Sequence, residues 1–259
     1  MVLEIIQNNI SLDNKLTNIQ GARSNSPGLK KAKELEKSYP GITRPVALEA
    51  VCMLEEKLKS PEYVIDDNVT PRVNVLLPQL DPLIMFGGYI SCLQFIRSLQ
   101  AKGLRVRIVL CESGEFDRAG VEAKLASNAP LRQVIAAAEV ENITLGDTKL
   151  VISPSDAFIC YSFWTGIKAH HLAEAIGKKF IFFLQEYEAI FHSHDSSHAI
   201  ASYVYRLPHQ AIFNTKLLAD NFKSKKLGVF GQYQDQELAS HYVSFQHALT
   251  PTSPPTLGE

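Results

Sequence analysis

The sequence predicts an α/β fold: a doubly wound, mostly parallel sheet with an N-terminal helical extension. From residue 72 to residue 228, apolar runs of strand length alternate with stretches of helical periodicity. The run at residues 180–184 (FIFFL) is apolar throughout, as expected for a strand that helices cover on both faces. This alternation indicates about six strands in one sheet.

Three parts can be distinguished along the chain. Residues 1–71 are predicted to be a partly helical extension that ends in a linker between Pro61 and Pro71. Residues 72–230 hold the alternating strands and helices and therefore form the main domain. Residues 231–259 are predicted to be a short segment followed by a disordered, proline-rich tail.

The opening unit of the main domain is a strand, a loop, a helix and a second strand at residues 72–111. Gly87 and Gly88 start the helical pattern and Gly103 ends it. Two strands joined through a helix should lie parallel. The carboxyl end of the first strand is where an open α/β sheet usually binds its ligand, so the loop before the helix is a candidate site.

The same reasoning predicts the later elements in order. Further strands are expected at residues 140–145, 157–161, 180–184 and 211–213, and further helices at residues 130–139, 163–176, 195–205 and 215–228. Pro130 suits the first turn of a helix, and Asp195 or Ser196 and Thr215 are suitable N-caps.

Composition excludes several classes of function. The chain has 26 Lys and Arg against 27 Asp and Glu, so it lacks the basic excess of a nucleic-acid-binding protein. Its four cysteines are not paired at short spacing, which argues against zinc ribbons and redox dithiols and favours buried thiols in a reducing compartment. The start of the chain has no basic signal-peptide pattern, and no apolar run of about eighteen residues occurs. A cytoplasmic protein is expected.

Gly87 and Gly88 are candidate binding residues. At a helix N-terminus they would let a phosphate or a sugar approach the backbone, although a plain tight turn explains them equally well. No GxGxxG pattern is present, which argues against an NAD-dependent dehydrogenase.

Four polar or charged residues follow the most apolar strand directly: Gln185, Glu186, Tyr187 and Glu188. Polar groups at the carboxyl end of a buried strand usually line the cleft. Glu186 is the preferred candidate for a general base that removes a proton from a substrate hydroxyl. The alternation does not determine which carboxylate points inward, and both could be solvated loop residues.

A histidine-rich stretch contains His192, His194, Asp195 and His198. Without cysteines or a HExxH frame, such residues are more often hydrogen-bonding loop residues than metal ligands, so no metal and no tightly bound cofactor are expected. His192 and His194 are candidates for contacts with a sugar hydroxyl or a phosphate.

The only tryptophan, Trp164, follows a predicted strand and precedes Thr165. It could serve as a platform for a sugar ring or be part of the core. A group of four lysines, Lys216, Lys223, Lys225 and Lys226, lies on and after a predicted helix. These lysines suit a helix C-terminus; the alternative is peripheral contact with anionic lipid at the inner membrane face.

Four stretches together resemble GT-B glycosyltransferases: "GLRVRIVLCE", "DAFICYSFWTG", "FFLQEYEAIFHSHDSSHAIASYVYR" and "AIFNTKLLADNF". They look like the N-terminal domain of rhamnosyltransferase-type enzymes that assemble bacterial surface glycans, over roughly residues 72–228. Trp164-Thr165 and the segment from Gln185 to Glu188 sit where that family has a Trp-Thr pair and a Gln-(Asp/Glu)-Tyr-Glu segment.

The resemblance implies a Rossmann-like domain that receives the acceptor glycan and faces a second domain holding a nucleotide-sugar donor as co-substrate. Trp164 and Thr165 would line the acceptor site, with Glu186, or else His192 or His194, as the base. Too few residues follow Gly228 for a donor domain, so a fragment or a donor half from a second chain is expected. The competing interpretation is a non-catalytic carbohydrate-binding or assembly module.

Overall fold

The computed structural model describes residues 53–81, 87–112, 116–144 and 149–246. Nine strands lie in these ranges: β1 Tyr63–Ile65, β2 Val73–Leu77, β3 Val106–Leu110, β4 Glu139–Asn142, β5 Leu150–Ile152, β6 Ala157–Cys160, β7 Phe180–Leu184, β8 His209–Phe213 and β9 Tyr242–Ser244. Residues 53–58 are helical. The helices that follow are α1 Gly87–Ala101, α2 Arg118–Lys124, α3 Ala129–Ala137, α4 Phe163–Ala175, a 3-10 helix Glu188–Phe191, α5 Ser196–Val204, α6 Lys216–Ser224, α7 Val229–Gln232 and α8 Asp235–Leu238.

Seven strands form one parallel sheet in the order β4-β3-β2-β6-β7-β8-β9. The order runs outward from β2 in both directions, first through β3 and β4 and then through β6 to β9. This is the doubly wound, Rossmann-like α/β fold that the sequence predicts, and the expected strands at 140–145, 157–161, 180–184 and 211–213 are all present within a few residues. The parallel pairing follows from the helices that connect most successive strands.

The core consists of two apolar layers, one on each face of the sheet. Neighbouring residues of one strand belong to different layers, as Leu76 and Leu77 of β2 do. Helices α1, α2 and α3 cover one layer, and α4, α5 and α6 cover the other. Because helices lie on both faces, β2, β3 and β7 can be apolar at nearly every position.

Caps fix several of the helix starts in the predicted places. Asp195 accepts a hydrogen bond from the His198 amide at the start of α5, and the Thr215 hydroxyl accepts one from the Leu218 amide at the start of α6. Within the part of the chain that the structure describes, no helix is both long and apolar enough to cross a membrane.

The structure also contains elements that the sequence does not predict. Strand β1 lies in the predicted linker and pairs with β5 in a separate two-stranded sheet. Strand β9 extends the main sheet past residue 230, where the sequence places the end of the domain. These strands have three residues each, too few for a periodic pattern. Residues 1–52 of the predicted extension and residues 247–259 of the C-terminal segment lie outside the described residues.

A buried polar network joins the amino ends of the central strands. The Arg107 side chain on β3 donates to the Asn74 amide oxygen (2.7 Å), to Glu141 (3.0 Å) and to the Val151 carbonyl (3.0 Å). The Asp156 carboxylate, which is fully buried, accepts from the Asn74 side chain and from the Arg72 amide. The network therefore connects β2, β3, β4 and β6 and ties the small sheet to the large one through β5.

Removing the Arg107 guanidinium should make the folded protein less stable. We expect Arg107→Met to lower the free energy of unfolding by about 3–5 kcal/mol, because the buried side chains of Asp156 and Asn74 lose a partner. Urea denaturation followed by circular dichroism measures the effect. Arg97→Met, at an exposed position of α1, is the matched control and should change stability by about 0.5 kcal/mol or less. A loss of under about 1 kcal/mol for Arg107→Met would contradict the stabilising role of the buried Arg107 network.

A second buried polar group, His209, opens β8. Its ring packs on Phe180 and Phe182, and its Nδ1 lies 2.7 Å from the Leu207 carbonyl oxygen, so Nδ1 carries the proton. Burial lowers the pKa of His209 from 6.5 to about 4. Its Nε2 has no hydrogen-bond partner among the described residues.

The depressed pKa predicts an acid-sensitive fold. Between pH 6.5 and about 4 the unfolded chain binds a proton at His209 that the folded protein excludes, so the free energy of unfolding should fall by about 3 kcal/mol as pH decreases through this window. His209→Phe keeps the aromatic packing, and Gln232 still donates to the Leu207 carbonyl. The free energy of unfolding is measured against pH for the wild type and for His209→Phe, and the difference between the two curves gives the contribution of His209. A difference that is constant from pH 4 to 6.5 would contradict the prediction.

Candidate functional site

The strand order places a crevice at the carboxyl edge of the sheet between β2 and β6. The chain winds outward in opposite directions from these two strands, and open α/β sheets bind ligands at such switch points. Helix α1 begins after β2, Glu112 follows β3, Tyr161 follows β6 and Gln185 follows β7. Most of the predicted site residues are therefore brought to one edge.

Gly88 allows the start of α1 to approach two polar side chains closely. A Cβ atom at this position would lie 2.6 Å from the Tyr161 hydroxyl and 3.1 Å from Gln185 Oε1. The hydroxyl and the amide are also hydrogen-bonded to each other. Gly87 has open space where its Cβ would be, so of the predicted pair only Gly88 is required for a close approach.

Gln185 is held in place from the next strand. The Asn214 side-chain amide, which is buried, donates to the Gln185 carbonyl oxygen at 2.8 Å. The bond fixes the Gln185 backbone, and the Gln185 side chain bonds the Tyr161 hydroxyl. Asn214 directly follows β8 and did not stand out in the sequence, because an asparagine before a helix is ordinarily interpreted as a turn residue.

Glu188 is the carboxylate with an altered environment at this edge. Its Oε1 accepts a hydrogen bond from the Phe163 amide (3.0 Å) at the start of α4. Burial and the nearby charges of Glu186 and Glu112 raise the pKa of Glu188 to about 8, against the lowering effect of the Phe163 amide. A carboxyl group with a pKa near neutrality is suited to proton transfer.

Glu186, the base preferred from the sequence, is exposed to solvent. The residues between β7 and the 3-10 helix do not follow strand alternation, which is why the pattern could not distinguish the two carboxylates. The structure favours Glu188 on grounds of burial, and the assignment of a base remains a prediction.

Thr165 is fully buried and has a structural role. Its hydroxyl accepts from the Tyr161 and Ser162 amides at 3.1 and 3.0 Å, and Ser162 caps its amide in return. This capping box starts α4. The expectation that Thr165 lines the acceptor site does not agree with its burial.

Trp164 is partly exposed and lies on the edge of the core. One side packs on the Phe163 ring at 4.4 Å, while the ammonium group of Lys57 lies over the indole at 4.7 Å from its centre. The same ammonium forms an ion pair of 2.6 Å with Glu112. Lys57 and Glu112 were not identified from the sequence, since they are 55 residues apart and no local pattern relates them.

Tyr187 is partly buried among aromatic rings. Its ring packs between Tyr205 and Phe222 of the adjoining helices, and the ammonium of Lys225 lies 5.7 Å from the ring centre. Tyr187 was expected to bind substrate because it belongs to the polar segment after β7. These ring contacts support the start of the 3-10 helix, and a contact of Tyr187 with substrate stays a prediction.

The histidine-rich stretch forms a loop with mostly internal contacts. The rings of His194 and His198 stack at 4.6 Å, and His198 Nδ1 lies 3.0 Å from the Ala189 carbonyl. His192 packs edge-on against Phe163, near the crevice, at 5.5 Å. Among the described residues no group of three His, Cys, Asp or Glu side chains is placed to hold a metal ion.

The four lysines do not form a single helix-terminal cluster. Lys216 is the first residue of α6, not the last, and pairs with Asp220 at 2.6 Å. Lys223 lies in the last turn, as the charge argument requires, and Lys225 lies over Tyr187. The predicted buried cysteines are confirmed for Cys92, Cys111 and Cys160, while Cys52 is outside the described residues.

Taken together, the edge offers a partly buried carboxyl group with a raised pKa, an amide–phenol pair at a helix N-terminus and an indole beside a second carboxylate. These groups can accept hydrogen bonds from hydroxyls and remove a proton from one of them. Polyhydroxylated ligands such as sugars match this set of groups.

Comparison with known proteins agrees with this picture. The family model of the WsaF N-terminal domain matches residues 72–216, from the residue before β2 to the first residue of α6. A search of curated proteins finds no match. The matched region includes Gly88, Tyr161, Trp164 and the segment from Gln185 to Glu188, but not Lys57. Because the match covers more than half of the chain, this protein belongs to the WsaF N-terminal domain family, a glycosyltransferase-associated family.

Proposed function

We propose that this chain is the acceptor-side half of a GT-B glycosyltransferase. In this proposal it binds a glycan acceptor at the carboxyl edge of the sheet and presents a hydroxyl to a nucleotide-sugar donor, with rhamnose as one candidate sugar. The observation that carries the proposal is Glu188, a partly buried carboxyl group whose pKa is raised to about 8 and which lies near the start of α4, after the switch-point strand β6. Membership of a glycosyltransferase-associated family supports it.

Glu188 is the proposed general base. Sugar transfer forms a bond between the acceptor oxygen and the anomeric carbon and breaks the bond to the diphosphate, so the hydroxyl proton must leave as the new bond forms. The Glu188 carboxylate takes that proton, and the Phe163 amide keeps the carboxyl group oriented. A donor half, on a second domain or a second chain, would hold the nucleotide sugar and stabilise the leaving diphosphate.

Transfer is tested by a mass-spectrometric screen. The full chain is incubated with a panel of nucleotide sugars and short glycans, with and without a candidate donor half, and both the nucleoside diphosphate and the extended glycan are measured. The proposal predicts glycan binding by this chain and one added sugar for each diphosphate released. Binding without turnover under every condition would favour the non-catalytic carbohydrate-binding or assembly module, and absence of both would contradict both functions.

The role of Glu188 is tested by its titration and by substitution. The amide resonance of Phe163 should shift with a midpoint near pH 8 in the wild type and should lose this titration in Glu188→Gln. Glu186→Gln, the matched control, should move the midpoint to lower pH because one negative charge is gone. In the transfer assay Glu188→Gln should lower kcat by about 10²–10⁴-fold, with acceptor binding retained.

The outcomes separate the two carboxylates. A base must be deprotonated to act, so the rate should rise with pH up to about 8 if Glu188 is the base. Loss of activity in Glu186→Gln with retention in Glu188→Gln would contradict the assignment and return the role to Glu186.

A further inference from the structure

Trp164 and Glu112 meet around one ammonium group. Lys57 Nζ lies 2.6 Å from Glu112 Oε2 and 4.7 Å from the centre of the indole ring. The side chains of Lys57 and Glu112 are both largely buried, at 25% and 18% exposure. Trp164 lies in the first turn of α4, which follows β6, and Glu112 lies in the loop after β3. Strands β6 and β3 are the neighbours of β2 on either side, so this contact lies at the switch point.

Lys57 comes from a segment that runs across this side of the domain, residues 53–65. The Lys168 ammonium on α4 donates to the Lys59 carbonyl at 2.5 Å and to the Glu56 carbonyl at 3.4 Å. Further along, β1 pairs with β5, and the Tyr63 ring packs edge-on against His171. The backbone is therefore anchored before and after Lys57 by contacts that do not involve the Lys57 side chain.

The groups around the ammonium have the chemistry of a sugar subsite. A pyranose ring can stack its C–H groups on an indole face, and a hydroxyl beside that face can donate to a carboxylate. The lysine ammonium makes the corresponding two contacts, one with the indole face and one with the carboxylate. Glu112 keeps further acceptor capacity, because its Oε1 has no hydrogen-bond partner among the described residues.

We propose that Trp164 and Glu112 form a sugar subsite that Lys57 occupies in the free protein and leaves when a glycan binds. The inference rests on the proposed function, because it names a part of the acceptor site. Residues 53–65 stay anchored through Lys168 and β1, while the flexible side chain of Lys57 swings out. Since only the fraction of molecules with Lys57 displaced can bind, occupation by Lys57 weakens the apparent affinity.

Substitutions on either side of the contact should have opposite effects. Lys57→Met keeps much of the apolar stem and removes the ammonium, so affinity for glycosides should rise about tenfold. Glu112→Gln removes the charged acceptor, and affinity should fall at least about tenfold. Lys59→Met changes an exposed lysine on the same segment and should leave affinity unchanged.

The single tryptophan gives a direct measurement. The purified full chain and each variant are titrated with methyl glycosides of a hexose, a 6-deoxyhexose and an N-acetylhexosamine, and Trp164 fluorescence is followed beside calorimetry. The ligand-free Lys57→Met protein should already show an altered emission, because the cation has left the indole face. Urea denaturation shows that each variant is folded before its affinity is compared.

A double variant distinguishes a sugar-binding role of Glu112 from a purely structural ion pair with Lys57. Lys57→Met with Glu112→Met replaces the pair by apolar side chains, which preserves or improves stability if the pair is only structural. The proposal predicts that this folded variant binds glycosides at least about tenfold more weakly than Lys57→Met alone.

The possible failures are distinguishable. Calorimetric binding of glycans with equal affinity in the wild type, Lys57→Met and Glu112→Gln would overturn the subsite and leave the proposed function standing. Weaker binding by Lys57→Met would also overturn it, because Lys57 would then be a contact and not an occupant. Absence of glycan binding in every variant would overturn the subsite together with the proposed function.

Discussion

The buried Arg107 guanidinium is the interaction on which the rest of the structure depends. It joins Asn74 on β2, Glu141 on β4 and the Val151 carbonyl on β5, and Asp156 before β6 completes the network. A buried charge is tolerated only when such partners satisfy it, so the strands cannot shift relative to one another without exposing it. This buried polar network lies at the amino ends of the central strands. It thereby fixes the register of β2, β3 and β6, whose carboxyl ends carry the candidate site.

At that opposite edge, the groups that hold the fold together also carry the proposed chemistry. Glu188 caps the start of α4 through the Phe163 amide, yet burial raises its pKa toward neutrality. A carboxyl group with a raised pKa is suited to proton transfer, which is the role proposed for Glu188. The same overlap is seen in Lys57, which forms an ion pair with Glu112 and covers the indole of the proposed sugar subsite.

Long helices and strands could be predicted from the sequence, whereas the shortest strands could not. Strands such as β7 and helices such as α4 were predictable because apolar runs and periodicity extend over many residues. Strands β1, β5 and β9, with three residues each, were not, because pairing partners and not local pattern make them strands. Thr165 and Tyr187 show the same limit in the site: each follows a strand as predicted, but the burial of Thr165 and the ring packing of Tyr187 depend on tertiary contacts.

The sequence by itself determined the fold class, the succession of the main strands and helices along the chain and the edge of the sheet at which polar residues collect, since these depend on periodicity and on chain direction. Only the tertiary structure decided the order of the strands in the sheet and the contacts of each side chain at that edge. The choice of Glu188 over Glu186 depends on burial, and the meeting of Lys57, Glu112 and Trp164 depends on segments far apart in the chain. Burial and long-range contact arise from packing, and no local pattern of residues encodes them.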